Sequence, residues 1–171
     1  MNKQIILDKN PKGCPNYIQS PNVDVMELRK YCSRIFLAGG IIENDNWQEK
    51  VAGFLTQELP RVMIFNPRRE SFDMKNDEML AEQTQWEKYC LKNSTHIAFW
   101  FPSSSLCPLS LFELGKYGYG GGGQHIEIGM DINYPRRQSI IEQLSGDIDP
   151  HRIHETLEEL CNSLKNSYFE Y

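Results

Sequence analysis

The stretch Thr95–Gly115, THIAFWFPSSSLCPLSLFELG, decides the fold of this chain. Its run Ile97-Ala98-Phe99-Trp100-Phe101 is apolar without alternation, which predicts a strand buried on both faces of a parallel sheet. A Pro/Ser loop follows, and then a helix with Glu113 in its early turns. In open α/β sheets, ligands sit in the crevice beyond the carboxyl ends of the strands. Glu113 is therefore placed to meet a small molecule, beside the loop hydroxyls of Ser103, Ser104 and Ser105. An acid in a first helical turn also has a plainer use, as a partner of the helix dipole.

Working outward, the same strand-then-helix alternation extends in both directions. Ile35-Phe36-Leu37-Ala38 reads as a strand ending in Gly39-Gly40. Trp47, Val51, Phe54 and Leu55 recur at helical spacing between Asn46 and Leu59, and Pro60 ends that helix. Val62-Met63-Ile64-Phe65 is a further strand, closed by Asn66-Pro67, and 69–77 is a polar loop. A helix is expected over Met79–Lys92, with Leu80, Trp86, Tyr89 and Cys90 facing inward, and another over 109–118. Gly120–Gly123 reads as a flexible connection, Ile126–Gly129 as a short strand, and Pro135–Gln143 as a helix. Asp149 and Pro150 are expected to open the last helix, running to about Asn166.

Towards the amino end, residues 3–7 could form a short strand, and 8–31 reads as an irregular arm with a helical turn near Val25–Lys30. The whole chain is expected to be one domain, 1–171. It is a doubly wound, mainly parallel α/β sheet of four or five strands flanked by helices, flavodoxin- or Rossmann-like.

At 171 residues a single core of useful size can be buried. A net charge of −5 argues against a surface that coats nucleic acid. The basic pairs Arg68-Arg69 and Arg136-Arg137 fit a small anionic ligand better than a polymer, with solvated surface arginines as the alternative. Five cysteines, Cys14, Cys32, Cys90, Cys107 and Cys161, are odd in number and contain no C-x-x-C, a pattern of free thiols in a reducing compartment. The first residues lack a signal-peptide core, and no segment approaches the roughly 18 apolar residues of a membrane span. A soluble cytoplasmic protein is expected.

Several candidate sites share the carboxyl edge of the sheet. Gly39-Gly40 lets a ligand approach the backbone closely, or simply makes a tight turn, and matches no nucleotide fingerprint. Arg68 and Arg69 could clamp a phosphate or carboxylate bidentately. Glu87 lies on the helix that leads into the Ile97–Phe101 strand. Two neighbouring carboxylates serve glycosidic chemistry, one as nucleophile and one as acid/base, and Asp73 and Asp77 compete with Glu87 for the second place. Trp86 reads as core. His151 and His154, three apart on the last expected helix, read as a solvated face and find no third metal ligand. His96 and His125 flank strand starts at the opposite edge and read as structural. A phosphate cradle at Gly120–Gly123 is the weaker alternative to a flexible loop.

Taken in order, LAGGI…W, FNPRRESFD, EQ-x-x-WE, FWFPSSS and SLFELG resemble the nucleoside 2-deoxyribosyltransferase-like family, from about Arg34 to Arg137. The superfamily includes nucleoside 5′-monophosphate N-glycosidases, and the chain looks closest to that branch. The resemblance implies that Glu113 is a nucleophile attacking the anomeric carbon of a (deoxy)ribosyl group, and that water or an acceptor base resolves the glycosyl-enzyme. Glu87 is implied to protonate or orient the leaving base. Gly39, Gly40, Trp47, Asn66, Pro67, Arg68, Arg69, Asp73, Ser103, Ser104, Ser105 and Gly115 are the implied substrate-binding positions. No metal or organic cofactor is implied. The partner is a small nucleoside or nucleotide, with no nucleic acid or membrane. A homo-oligomer is expected, which the aromatic end Ser167–Tyr171 could help complete.

Transferases of the superfamily often carry an acid six residues before the nucleophile. Cys107 stands there in this chain, and the serines Ser103, Ser104, Ser105 and Ser110 suit a 5′-phosphate instead. The alternative reading is a sensor module holding a nucleotide-derived ligand without turnover. A Glu113 that merely caps its own helix would favour it.

Overall fold

The computed structural model describes residues 11, 16–22, 33–43, 45–120 and 123–168. In chain order the elements are β1 (Tyr17–Gln19), β2 (Ser33–Gly39), α1 (Trp47–Glu58), β3 (Val62–Asn66), α2 (Asp77–Asn93) and β4 (His96–Phe101). They continue with α3 (Pro108–Gly120), β5 (His125–Met130), α4 (Arg137–Leu144), β6 (Ile153–His154) and α5 (Leu157–Ser167). The sheet order is β1-β3-β2-β4-β5-β6 and every pairing is parallel. This is the expected doubly wound α/β class.

Each central strand is buried on both faces, and its residues alternate between two cores. Phe36, Ala38, Phe65, Phe99 and Phe101 pack with Trp86 of α2 and Leu114 of α3. Ile35, Leu37, Ile64, Ala98 and Trp100 pack with Trp47, Val51 and Leu55 of α1 and with Leu160 and Leu164 of α5. A right-handed crossover needs an intervening element on one face, so helices cover both sides. The chain runs from β2 outward to β3, then returns across β2 to β4. The switch point therefore lies between β2 and β4, where a crevice opens at the carboxyl ends.

The structure corrects the sequence reading in several places. The sheet has six strands, because two short edge strands flank the expected ones. β1 lies inside the segment read as an irregular arm, and β6 inside the segment read as the start of the last helix. Asp149 and Pro150 open only a short 3-10 turn, with the Asp149 carboxylate accepting from the His151 N–H. The true start of α5 is set later by the Thr156–Glu159 capping box, which satisfies two orphan N–H groups reciprocally. His151 and His154 consequently share no helix face. α2 begins at Asp77 because Asn76 caps it, accepting from Met79 N at 3.0 Å. Leu80 is exposed rather than inward, whereas Trp86 and Cys90 are buried.

The expected strand at 3–7, the helical turn near Val25–Lys30 and most of the tail 167–171 fall outside the described residues. Cys90, Cys107 and Cys161 are free thiols. No helix among the described residues is long and apolar enough to cross a membrane.

Candidate active site

The switch-point crevice is a cavity of about 220 Å³, lined by Gly39, Gly40, Ile41, Pro67, Glu87, Ser105, Cys107, Ser110 and Glu113 among others. Its floor is the turn leaving β2. Gly39 sits at φ +153°, and a Cβ there would lie 2.2 Å from the Trp100 carbonyl oxygen. The Gly40 N–H donates to that carbonyl at 3.2 Å, and the Gly40 carbonyl accepts from Trp47 Nε1 at 2.8 Å. A Cβ on Gly40 would meet Cys107 Sγ at 2.6 Å. The glycine pair is thus required by close packing of β2 on β4 and on the 102–107 loop. Trp47 is a fully buried residue that pins this turn and does not line the cavity.

The opposite wall is the loop into α3. Ser105 Oγ accepts from Cys107 N at 3.3 Å, and Cys107 adopts a left-handed φ of 48°, sparsely populated for a residue with a side chain. Its carbonyl accepts the first helical bond, from Leu111 N at 2.9 Å. Burial pushes the Cys107 thiol up, so this wall is neutral. Ser103 and Ser104 form an exposed turn away from the cavity, whereas Ser105 and the buried Ser110 line it.

Glu113 and Glu87 meet here from two different helices. Glu113 stands in the second turn of α3, whose first turn holds no acid, so it is not a dipole partner at the helix start. Burial, and then the charge of Glu87, push its carboxyl up to about 7, against the pull of Lys116. Burial raises the Glu87 carboxyl as well, opposed by a hydrogen bond from Gln83. Both carboxyls also line a neighbouring cavity of about 140 Å³ with Thr84, Lys88, Phe112, Lys116 and Tyr117. They form the partition between the two spaces. Each charge disfavours the other, so the two carboxyls lose their protons in coupled steps.

Gln83, one helical turn before Glu87, is a contributor that the sequence reading passed over. Its Nε2 donates to Glu87 Oε1 at 2.7 Å and to the Pro67 carbonyl at 2.8 Å, while its Oε1 accepts from Ser20 Oγ at 2.6 Å. The i, i+4 spacing in EQ-x-x-WE was the available signal.

Other expected site residues are placed elsewhere. Asn66 is buried, donating to the Tyr17 hydroxyl at 2.7 Å and accepting from Arg68 N at 2.9 Å. The Arg68 guanidinium donates to the carbonyls of Ile42 at 2.9 Å and Asp45 at 3.1 Å, tying down the β2–α1 loop instead of waiting for an anion. Arg69 pairs with Glu82 and lines a separate basin of about 710 Å³. Asp73 makes a local turn, accepting from Lys75 N at 2.9 Å, and Asp77 lies in the first turn of α2. Gly115 is exposed on α3 with open space at its Cβ position. Of the expected set, Gly39, Gly40, Pro67, Glu87, Ser105 and Glu113 line one cavity.

A second acidic cluster lies under α5, on the side of β4 and β5 away from the crevice. Glu127 is 2 % exposed and accepts from His125 Nε2 at 2.7 Å and His154 Nε2 at 2.6 Å. Burial alone would push its carboxyl up; hydrogen bonds from His125, His154 and Ser163 prevail and hold it below the ordinary range. The His96 ring lies 5.1 Å from that of His125, and burial followed by the nearby His125 lowers it to about 4. His154 is therefore a fold residue rather than a solvated helix position.

No curated protein sequence matches the chain significantly. The profile of the family described as nucleoside 2-deoxyribosyltransferase like does match, over residues 32–132. That span covers more than half of the chain and includes β2 through β5 with every residue lining the crevice. The chain belongs to the nucleoside 2-deoxyribosyltransferase-like family.

Proposed function

We propose that the protein cleaves or exchanges the N-glycosidic bond of a (deoxy)nucleoside or its 5′-monophosphate. The observation that carries this reading is the Glu87–Glu113 pair lining one cavity at the switch point. At about 220 Å³ the space is smaller than the roughly 300–1,000 Å³ of drug-sized pockets. It suits a pentose, with the rest of the ligand extending past the carboxyl partition or to the mouth.

The ionised Glu113 carboxylate attacks the anomeric carbon and forms a C–O bond. The C–N bond breaks, its electron pair moves to the base nitrogen, and the Glu87 carboxyl supplies the proton. In the second step Glu87 takes a proton from water or from an acceptor base. The oxygen or nitrogen so freed attacks the same carbon and releases Glu113. Proton delivery of this kind contributes about 10²–10⁴-fold. Glu113 must be ionised to attack, and its carboxyl sits at about 7 in the free protein. That value already includes the charge of Glu87, so the pair keeps one proton below it. Activity is expected to fall as pH rises past about 7 and the last proton leaves. Ser105 and Ser110 are the hydroxyls available to a 5′-phosphate. A homo-oligomer accompanies this proposal, supported by Leu109, Phe112 and Tyr119, which leave apolar surface exposed along α3.

The test is product analysis on ribo- and deoxynucleosides and their 5′-monophosphates, with and without a free acceptor base, beside Glu113→Ala. Base released by the native protein and not by the variant supports glycosidic cleavage. A new nucleoside formed only with acceptor assigns transfer. Binding that raises the melting temperature without any turnover replaces this reading with a sensor.

A further inference from the structure

The Gln83 amide has a fixed orientation. The Pro67 carbonyl and a carboxylate only accept, so both must meet the nitrogen end, and Ser20 Oγ must donate to the oxygen. Gln83 is 6 % exposed, so these three bonds form away from solvent competition. They join three separate parts of the fold: the end of β1, the exit of β3 and the middle of α2. Ser20 is fixed in turn by its N–H, which donates to the Asn66 carbonyl at 3.0 Å. Glu87 Oε1 is thereby occupied, and Oε2 has no partner among the described residues, on a side chain that lines the cavity.

We propose that Gln83 is a positioning residue of the active site. Anchored by Ser20 and Pro67, it fixes which Glu87 oxygen is free to exchange a proton with the substrate. This assignment rests on the glycosidic reading above. Gln83 acts in two ways. It removes the rotational freedom of the Glu87 carboxyl, and misplacement by an ångström costs about 10²-fold in well-oriented reactions. Its N–H also favours the ionised carboxyl, so Glu87 gives up its proton more readily than burial alone would allow.

The consequences are specific. Gln83→Leu should lower kcat by roughly 10–100-fold with a smaller effect on KM, because the substrate does not touch Gln83. It should also move the Glu87 titration to higher pH and carry with it the acid limb of the activity profile, where the pair loses its first proton. The alkaline limb, where the last proton leaves Glu113 near pH 7, stays in place, so the profile narrows. In a Glu87→Gln background the same substitution should cost less than about twofold, since its target is gone. A residue that merely supports packing would lower activity without moving either limb and would act in both backgrounds.

The experiment pairs the activity profile with carbon-13 NMR titration of the glutamate carboxyls, the Glu87 signal being assigned by its loss in Glu87→Gln. Ser20→Ala, which loosens Gln83 without touching it, should give a smaller shift in the same direction and carries the test should Gln83→Leu fail to fold. A Glu87 titration unmoved in the folded variants overturns the proposal. If the native protein releases no base from any substrate, the glycosidic reading fails, while the titration still reports whether Gln83 governs Glu87.

Discussion

Two buried acidic sites in this molecule use the same side chain in opposite ways. Under α5, Glu127 accepts hydrogen bonds from His125 and His154, and its carboxyl is held below the ordinary range. In the crevice, Glu113 faces another carboxylate, and its carboxyl is driven up to about 7. Burial penalises both charges. The difference lies in what else was supplied. Where donors converge, a buried acid keeps its charge readily; where a second acid converges, the fold tolerates the charge at a cost.

The largest expected effect follows from that contrast. On the proposed glycosidic reading, Glu113→Gln should lower kcat/KM by roughly 10⁴-fold or more, because the covalent step runs through that carboxylate. The same variant should be more stable than the native protein at alkaline pH. A carboxyl raised from 4.5 to about 7 in the folded state binds its proton more tightly there than in the unfolded chain. Stability is therefore fully present below pH 4.5 and declines as pH rises to about 7, by up to about 3 kcal/mol. Melting curves of native and variant should coincide near pH 4 and separate by several degrees at pH 8. An equal or lower melting temperature for the variant at pH 8 would remove the claim that Glu113 is held at a cost.

Glu127→Gln should behave in the reverse sense. Removing the charge from a buried, hydrogen-bonded cluster typically costs about 3–5 kcal/mol, since glutamine keeps one acceptor oxygen and turns an N–H toward the other histidine. For a chain of 171 residues that is a loss on the order of 10 °C in melting temperature. A lowered carboxyl contributes stability that is present above its ordinary value of 4.5 and is lost as pH falls through the folded-state value. The gap between native and variant should therefore shrink in acid and be widest near neutrality. Catalysis should be nearly untouched at temperatures where both proteins are folded.

What could be read from the amino-acid sequence divides along a similar line. The central strands were legible because parallel strands buried on both faces appear as unbroken apolar runs, as in Ile97–Phe101. β1 and β6 were not, since three and two residues carry no periodic signal and owe their pairing to neighbours. Glu113 could be placed at the crevice because strand, loop and helix follow one another directly. The fate of Arg68 could not: its charge was visible, but the carbonyls that consume it lie 26 and 23 residues away. Gln83 shows both halves at once. Its spacing to Glu87 was plain in the helix, while Ser20, which fixes it, is 63 residues distant.

The smallest effect gives the sharpest view of the crevice. Lys116, one turn after Glu113 on α3, is the group that draws the Glu113 carboxyl down. Its Nζ lies 5.0 Å from the centroid of the Tyr117 ring, on an exposed side chain. Lys116→Gln removes that opposing charge, so the alkaline limb of the activity profile, set by Glu113, should move to higher pH by roughly a few tenths of a unit. An exposed charge acts through water, where its reach is about 10 Å at 0.1 M salt and about 3 Å at 1 M. High salt should therefore bring the native profile toward that of the variant. The burial contribution to Glu113 does not respond to salt, so the limb should stay well above the ordinary carboxyl range in both proteins. Were 1 M salt to return it to 4.5, the elevation at Glu113 would be a matter of long-range charge, and the contrast with Glu127 would rest on the wrong cause.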